Sequence, residues 1–211
     1  VLGVLLALGL HISERFKRLQ TFIRIILVIP LTTAPVVVGL VARLMFNRSF
    51  GVVNHGMSLM GVPEIAWLGN GFWAMITISL CAIWQWTPFV ALVSMSGLTS
   101  VPDKIIEATR LETDSLWKTF WHVYWPYLKP AVTAILIIRT ADLLKQFAMV
   151  FVLTRGGPGT ATEIISVYIE RVGFRQFQMG KASAMAVLML ILAIVISQVY
   201  IQLFYQEIET T

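Results

Sequence analysis

Polar side chains that could contact a solute stand inside two otherwise apolar stretches of the sequence. The first stretch contains Trp84, Gln85, Trp86 and Thr87, which combine aromatic rings with an amide and a hydroxyl group. Such a mixture suits a ligand that has both an apolar face and hydroxyl groups. A second interpretation is equally open, in which the rings face lipid and Gln85 bonds to a neighbouring helix.

A second polar group, Arg139, Asp142, Lys145 and Gln146, lies in the later apolar stretch Ala131–Leu153. Charged groups within a membrane are costly, so they usually line a cavity or pair with one another. Spacings of three residues allow Arg139 and Asp142, or Asp142 and Lys145, to pair along a helix surface. If the polar groups instead line a solute path, its candidate residues are Gln85, Trp86, Thr87, Asp142 and Gln146.

The sequence has no recognisable catalytic or metal-binding pattern. His11, His55 and His122 are far apart, and none shares a metal-binding i, i+4 motif with another ligand. The phosphate-binding pattern G-x-x-x-x-G-K-[ST] is absent. Cys81 is the single cysteine, so there is no disulfide framework. We therefore expect that the chain is not an enzyme and binds no metal or cofactor itself.

The composition indicates a membrane protein. Of the 211 residues 57% are hydrophobic and only 13% are charged, whereas soluble domains are roughly 45–50% apolar. Crossing ~30 Å of hydrocarbon takes ~20 apolar residues in a helix. We predict an all-α, polytopic bundle within a single domain, 1–211, with about five spans of which the first is truncated. The predicted spans are Val1–Leu10, Ile25–Ala42, Phe72–Gly97, Ala131–Leu153 and Ala182–Phe204.

The distribution of basic residues predicts the orientation. Lys and Arg stay preferentially on the cytoplasmic side of a membrane. Segments 11–24 and 99–130 together carry eight of them, and the opposite segments 46–70 and 154–181 carry five. We therefore place 99–130 in the cytoplasm. Because the basic residues are scattered between spans, the net charge of +5 reflects this orientation and does not indicate binding to nucleic acid.

Segment Thr99–Pro130 is far longer than the ~2–8 residues that connect helices in bundles. Ser100 can cap a first helix, with Pro102 and Asp103 in its first turn. Asp114 or Ser115 can cap a second one, Leu116–Tyr124, which Trp125 and Pro126 would end. The two helices would meet near Thr113.

Trp117, Phe120 and Trp121 recur at spacings of three and four residues, which gives the second helix a broad aromatic face. This face either packs under the membrane bundle or forms a contact surface for a soluble partner. The residues alone leave both possibilities open.

The same segment carries a specific resemblance. Residues 101–115 read Val-Pro-Asp-Lys-Ile-Ile-Glu-Ala-Thr-Arg-Leu-Glu-Thr-Asp-Ser, followed by the aromatic residues above and Trp125-Pro126. The run resembles the EAA loop of binding-protein-dependent ABC permeases, the coupling helix that sits in a cleft of the ATP-binding subunit. Its pattern is Glu-Ala-Ala, two variable residues, Asp-Gly-Ala-Ser, then an aromatic stretch ending in Leu-Pro. The direct matches are Glu107, Ala108, Ser115 and Pro126.

Four positions depart from that pattern: Thr109 replaces Ala, Glu112 replaces Asp, Thr113 replaces Gly and Asp114 replaces Ala. Thr113 matters most, because a glycine that ends a helix commonly adopts a positive φ, which a β-branched residue resists. We expect either backbone strain of ~1–3 kcal/mol or a rearranged turn. We predict that Thr113→Gly preserves or improves coupling.

The resemblance extends over the rest of the chain. Leu-Thr-Arg-Gly-Gly-Pro-Gly at 153–159 is similar to the Leu-Thr-x-Gly-Gly-Pro signature of maltose-type sugar permeases. Gly-Gly-Pro-Gly by itself indicates a tight turn at the exit of a span. Gly51-Val52-Val53-Asn54 resembles the family's external loop.

The resemblance implies a type I ABC importer permease, a membrane subunit that forms half of the pathway for a sugar or related solute. It implies a second permease subunit, two ATP-binding subunits that bind ATP and Mg, and an extracytoplasmic substrate-binding protein, all at a prokaryotic inner membrane. The alternative is an ion-coupled secondary transporter with an ion site at Asp142. The implied ATPase-coupling residues are Glu107, Ala108, Thr109, Glu112, Thr113, Trp117, Phe120 and Trp121.

Overall fold

A computed structural model describes residues 1–12, 17–113 and 115–205. These residues form helices and connecting turns, with no strand among them. Two short π-helical turns, Phe120–Tyr124 and Arg171–Arg175, continue α7 and α10 respectively. The α-helices are α1 (Leu2–Ile12), α2 (Lys17–Thr32), α3 (Pro35–Met45), α4 (Val52–Leu59), α5 (Gly71–Leu98), α6 (Asp103–Glu112), α7 (Leu116–Thr119), α8 (Trp125–Lys145), α9 (Ala148–Thr154), α10 (Ile165–Glu170) and α11 (Met179–Tyr205).

Two of the predicted spans are continuous helices. Phe72–Gly97 lies within α5, which is 28 residues long, and Ala182–Phe204 lies within α11. Both are long and apolar enough to cross a membrane. A third span results only if α2 and α3 are counted together, so the described helices supply two or three spans by length and composition. The predicted all-α permease fold is confirmed.

The other predicted spans are interrupted or short. Ile25–Ala42 is broken between Thr32 and Pro35, because Pro35 takes the first helical position and holds Ala34 in an extended conformation. Ala131–Leu153 is broken between α8 and α9, and α8 includes three charged residues in its last seven positions. Helix α1 has 11 residues and rises only ~16 Å. The prediction of about five spans therefore exceeds the number that the described helices supply.

The chain packs as two compact units. The first comprises the described residues of 1–32, 86–140 and 198–205. Its core joins Ala7 and Leu10 of α1 to residues of α5 and α8, including Leu98 and Leu128, which are fully buried. Gly97 allows this packing, because a Cβ there would lie 3.1 Å from the carbonyl oxygen of Tyr127.

The second unit comprises Thr33–Gln85 and Ala141–Ser197. Its core joins Val38 and Ala42 of α3 to Cys81 of α5 and to Met149 and Leu153 of α9. Helices α3 and α9 approach closely at Gly39, where a Cβ would lie 3.0 Å from the carbonyl oxygen of Met149.

Candidate functional site

Helix α6 forms the first half of the predicted coupling loop. It begins at Asp103 after Pro102, which has an extended conformation and accepts hydrogen bonds from the N–H groups of Ile105 and Ile106. The prediction that Ser100 caps this helix is wrong. The Ser100 hydroxyl instead donates a 3.1 Å hydrogen bond to the carbonyl oxygen of Ser96, because Ser100 still lies in the closing turn of α5.

Among the described side chains of α6, one packs against the core and several are exposed. Ile106 packs against the core of the first unit, whereas Glu107, Ala108 and Glu112 are exposed. Leu111 is also exposed, at 90%. The Glu107 carboxylate makes no hydrogen bond or ion pair with any other residue that the structure describes. This face of α6 is therefore available for contact with another molecule.

The turn after α6 is rearranged relative to a glycine-ended helix. Thr113 has φ −155° and ψ 138°, an extended conformation that any residue adopts. Its hydroxyl accepts a 3.2 Å hydrogen bond from the Ser115 N–H and so holds the start of the next helix. Of the two predicted alternatives, strain is therefore wrong and the rearranged turn is confirmed. Asp114, a predicted cap, lies outside the described residues.

The predicted aromatic face exists and is larger than expected. Trp117 and Trp121 pack edge to face with ring centroids 5.7 Å apart, and Phe120 and Trp121 do so at 5.4 Å. Trp125 extends this cluster, 5.4 Å from Trp121. Phe120 and Trp125 pack against the core of the first unit, whereas Trp117 is 70% exposed. The aromatic cluster thus has an inner, anchoring side and an exposed side.

The prediction that Trp125 and Pro126 end this helix is wrong. Trp125 has helical angles and donates its N–H to the carbonyl oxygen of Phe120, five residues earlier, as in a π-helix. Helix α8 continues from there. Pro126 therefore lies within a continuous run of helix, directly after the π-helical turn.

Gln85, a candidate for the solute path, has a structural role. It is only 4% exposed, and its Nε2 donates a 2.8 Å hydrogen bond to the carbonyl oxygen of Thr33. That carbonyl lies in the break between α2 and α3. Bonding to a neighbouring segment was one of the two interpretations left open for Gln85, and it is the one found.

The other solute-path candidates have different surroundings. The guanidinium carbon of Arg139 lies 3.8 Å from the ring centroid of Trp86, a cation–π contact. Thr87, the residue after Trp86, is half-buried. Asp142 pairs with Lys145, with 3.7 Å between carboxylate oxygen and ammonium nitrogen, one of the two pairings left open. The carbonyl oxygen of Gln146 accepts a 2.8 Å hydrogen bond from the Ser166 hydroxyl.

The glycine-rich segment after α9 forms the predicted tight turn. Arg155 adopts a left-handed conformation with φ 53°, and Gly156 follows with φ 86°. The turn closes on Thr162, which is 3% exposed. Its hydroxyl lies 2.7 Å from the Thr154 hydroxyl and donates a 2.8 Å hydrogen bond to the carbonyl oxygen of Gly157. The Leu-Thr-x-Gly-Gly-Pro signature therefore has a local structural explanation.

Asn54 is the residue whose importance sequence reasoning missed. It is 4% exposed and holds together the segment between α3 and α5. Its Nδ2 donates to the carbonyl oxygens of Arg48 and Ile65, at 3.1 and 2.9 Å. Its Oδ1 accepts from the Ile65 N–H at 3.2 Å and from the Trp67 indole N–H at 2.9 Å. The only signal in the sequence was its place in the Gly-Val-Val-Asn run.

The fold and these sites define the class of protein. It is a membrane-embedded helical subunit with an exposed knob, the surface formed by α6 and the aromatic cluster. Within the described residues, no group of three or more His, Cys, Asp or Glu side chains is arranged to hold a metal ion. Residues 1–210 match the family described as binding-protein-dependent transport system inner membrane component, and the chain belongs to this family. The predicted resemblance is confirmed.

The relatives include several named sugar permeases. The chain is 32% identical over 200 residues to the trehalose/maltose transport system permease protein MalF of Thermococcus litoralis, covering 93% of this chain and 66% of that protein. It is 31% identical over 202 residues to the sulfoquinovosyl glycerol transport system permease protein SmoG of Agrobacterium fabrum, covering 95% and 66%. It is 30% identical over 215 residues to the diacetylchitobiose uptake system permease protein DasB of Streptomyces coelicolor, covering 99% and 63%. The chain thus spans slightly less than two thirds of each relative.

Solved structures confirm the fold. The chain superposes with a TM-score of 0.87 and 22% identity on a chain of a bacterial ABC transporter involved in the import of the acidic polysaccharide alginate, covering 97% of this chain and 72% of that one. A second structure of a bacterial alginate ABC transporter, in complex with an alginate pentasaccharide-bound periplasmic protein, matches with a TM-score of 0.85 and 23% identity.

Proposed function

We propose that this chain is a membrane subunit of an ATP-driven importer and forms half of the translocation pathway for a saccharide. The family membership and the sugars named in its relatives support this proposal. The observation that carries it is the exposed knob, the surface formed by α6 and the aromatic cluster. An importer without a nucleotide site of its own needs such a contact to receive energy from an ATPase.

The knob has the properties of a docking surface. Leu111 and Trp117 are 90% and 70% exposed, and burying such side chains in a partner contributes ~1.5–3 kcal/mol each. Glu107 lies on the exposed surface of the same helix, and a carboxylate there suits an Arg of the partner through charge-assisted hydrogen bonds. Phe120 and Trp125 pack the knob against the core of the first unit. A displacement of α6 by the partner would therefore be transmitted to α8.

The coupling contact would therefore be shared unequally among the predicted residues. Glu107, Ala108 and Glu112 on exposed α6, with Trp117, would touch the ATPase. Phe120 and Trp121 would brace the knob, and Thr109 and Thr113 would shape its turn. The Thr109 hydroxyl donates a 2.7 Å hydrogen bond to the carbonyl oxygen of Ile105, so this hydroxyl is already bonded within α6.

The proposed assembly contains a second permease subunit, two ATP-binding subunits that hold ATP and Mg, and an extracytoplasmic substrate-binding protein. It would lie in a prokaryotic inner membrane with 99–130 in the cytoplasm. Trp86, Thr87, Asp142 and Gln146 remain candidates for the solute path. For Gln85 we propose a supporting role, because its amide is already bonded to Thr33.

The test uses the assembled complex in lipid nanodiscs with purified substrate-binding protein. Glu107→Ala and Trp117→Ala should each lower ATPase-subunit affinity by about 10–100-fold, which corresponds to ~1.5–3 kcal/mol. Saccharide-stimulated ATP hydrolysis should fall with them. Glu64→Ala is the matched control, since Glu64 is an exposed carboxylate paired with Arg48 outside the knob. Full ATPase binding and hydrolysis in both knob variants would refute the proposed coupling.

A further inference from the structure

An apolar groove runs between α3 and α5 in the second unit, separate from the knob. Its volume is about 500 Å³. The α3 wall includes Val37, Val41 and Met45, and the α5 wall is formed by Leu80, Cys81 and Trp84. Val41, Leu80 and Trp84 are about half exposed, so the groove is open along one side.

The floor of the groove is part of the packed core. Val38 and Ala42 line it and are 6% and 5% exposed. Both are buried in the core cluster that includes Met149 and Leu153 of α9. The groove is therefore a preformed feature of the packed core.

The chemistry of the lining excludes a saccharide as the occupant. Apart from backbone, its polar groups are the Thr33 hydroxyl, the Trp84 indole N–H and the weakly polar Cys81 thiol. A sugar placed here would leave most of its hydroxyl groups without partners, which is costly in an apolar environment. The lining also lacks a charged side chain, so an ionic ligand is equally unsuited.

The groove is about as long as the part of an acyl chain that lies within one leaflet. Val37 and Met45 are eight residues apart on α3, which is ~12 Å along a helix, close to the ~15 Å depth of one leaflet's hydrocarbon. Helix α3 has no charged residue before Arg43, which is exposed near the Met45 end. At the same end Phe46 packs edge to face against Trp67, and tryptophan favours the membrane–water boundary.

The outer surface of α3 beside the groove is also apolar and exposed, including Val36, Leu40 and Leu44. Helix α3 therefore presents apolar side chains both in the groove and next to it, as expected for a helix that contacts hydrocarbon. These observations favour lipid over a water-filled passage as the neighbour of this face.

We propose that the groove between α3 and α5 binds one acyl chain of a membrane phospholipid, with the lipid headgroup at the Met45 end and the chain running toward Thr33. The inference goes beyond the proposed function and does not depend on it. The bound chain would cover Cys81 and support α3 next to its break from α2.

The experiment photocrosslinks the assembled complex, in nanodiscs of phosphatidylcholine and phosphatidylglycerol, with a phospholipid that carries a diazirine on its acyl chain. Crosslinks should concentrate on α3 and α5 peptides that line the groove. Val41→Trp, which fills the groove, should lower them by about tenfold, the equivalent of withdrawing roughly two methylene groups from apolar surroundings. Leu40→Trp, at an exposed position of α3 that does not line the groove, should leave the yield unchanged.

A second measurement separates lipid from a protein neighbour and remains available if Val41→Trp does not fold. Cys81→Ala removes the only cysteine, and Val41→Cys then carries a nitroxide. Its collision rate should be high with oxygen and low with a water-soluble nickel chelate. Met149→Cys, at a position 1% exposed, gives the protein-packed reference, and Glu64→Cys, at an exposed position outside the knob, gives the aqueous one. A position 41 signal matching either reference, or crosslinks that Val41→Trp leaves unchanged, would overturn the proposal.

Discussion

Asn54 provides the sharpest test of how the segment between α3 and α5 is held. Asn54→Ala removes four hydrogen bonds that join the amide to Arg48, Ile65 and Trp67. At ~1 kcal/mol each, their loss approaches ~4 kcal/mol, and water entering near exposed Arg48 reduces it to ~2 kcal/mol. For a chain of this size ~1 kcal/mol corresponds to a shift of ~2–4 °C in the midpoint of thermal unfolding. The unfolding midpoint of Asn54→Ala should therefore fall by roughly 5–15 °C.

The assay exploits Cys81, the only cysteine, which is 7% exposed in the same unit as Asn54. A maleimide dye that fluoresces on reaction with a thiol reports unfolding when heating exposes this side chain. His55→Ala is the matched control, because His55 is the next residue on α4 and its ring is exposed. Its midpoint should change by less than ~2 °C, since surface substitutions usually stay within ±0.5 kcal/mol.

Asn54→Asp separates hydrogen bonding from side-chain size. The carboxylate keeps both acceptor contacts but faces the carbonyl oxygens of Arg48 and Ile65 without a donor. Those neighbours favour the protonated form, so the stability of this variant should rise as the pH falls and be lowest at neutral pH. If Asn54→Ala melts like the His55→Ala control, or Asn54→Asp is insensitive to pH, the hydrogen-bond network does not hold this segment.

Three further changes test other parts of the structure with the same melting assay. Thr162→Val keeps the side-chain shape but removes the hydroxyl contact with Thr154, and should cost ~1–3 kcal/mol; an unchanged midpoint would contradict the role given to that turn. Gly39→Ala places a methyl group 3.0 Å from the carbonyl oxygen of Met149 and should cost ~1–3 kcal/mol by overpacking, which a neutral result would disprove. Thr113→Gly should not stabilise the chain, because φ is −155°; a higher midpoint would show that the threonine is strained.

The continuous spans could be predicted because hydrophobic length alone specifies them. Helices α5 and α11 each supply more than the ~20 residues that a membrane requires, and the predicted bounds agree with theirs within a few residues. The breaks in the other segments could not be located in this way. Hydrophobicity does not show which backbone carbonyl lacks a donor. Prolines do not locate the break either, because Pro30 lies inside α2 whereas Pro35 begins α3.

The knob was predicted in its residues but not in its geometry. A spacing of three and four residues correctly grouped Trp117, Phe120 and Trp121. Trp125 lies four residues after Trp121 and fits the same spacing, but the sequence prediction ended the helix there because Pro126 follows. The π-helical turn also brings Trp125 beside Phe120, five residues earlier. The expectation of strain at Thr113 assumed the positive φ of the glycine that the family has at this position. Here Thr113 is extended and needs no positive φ.

Hydrogen bonds formed by two polar side chains explain how the broken spans persist. Each break removes a backbone carbonyl from its helix, and in an apolar surrounding an unsatisfied carbonyl costs several kcal/mol. At the first break Gln85 of α5 donates to the carbonyl oxygen of Thr33, and at the second Ser166 of α10 donates to that of Gln146, both at 2.8 Å. In each case the donor lies far away in the sequence, so the break is maintained by tertiary packing and not by local sequence. A polar side chain inside an apolar stretch can therefore mark a broken partner helix as readily as a solute path, and only its bonded neighbour distinguishes the two.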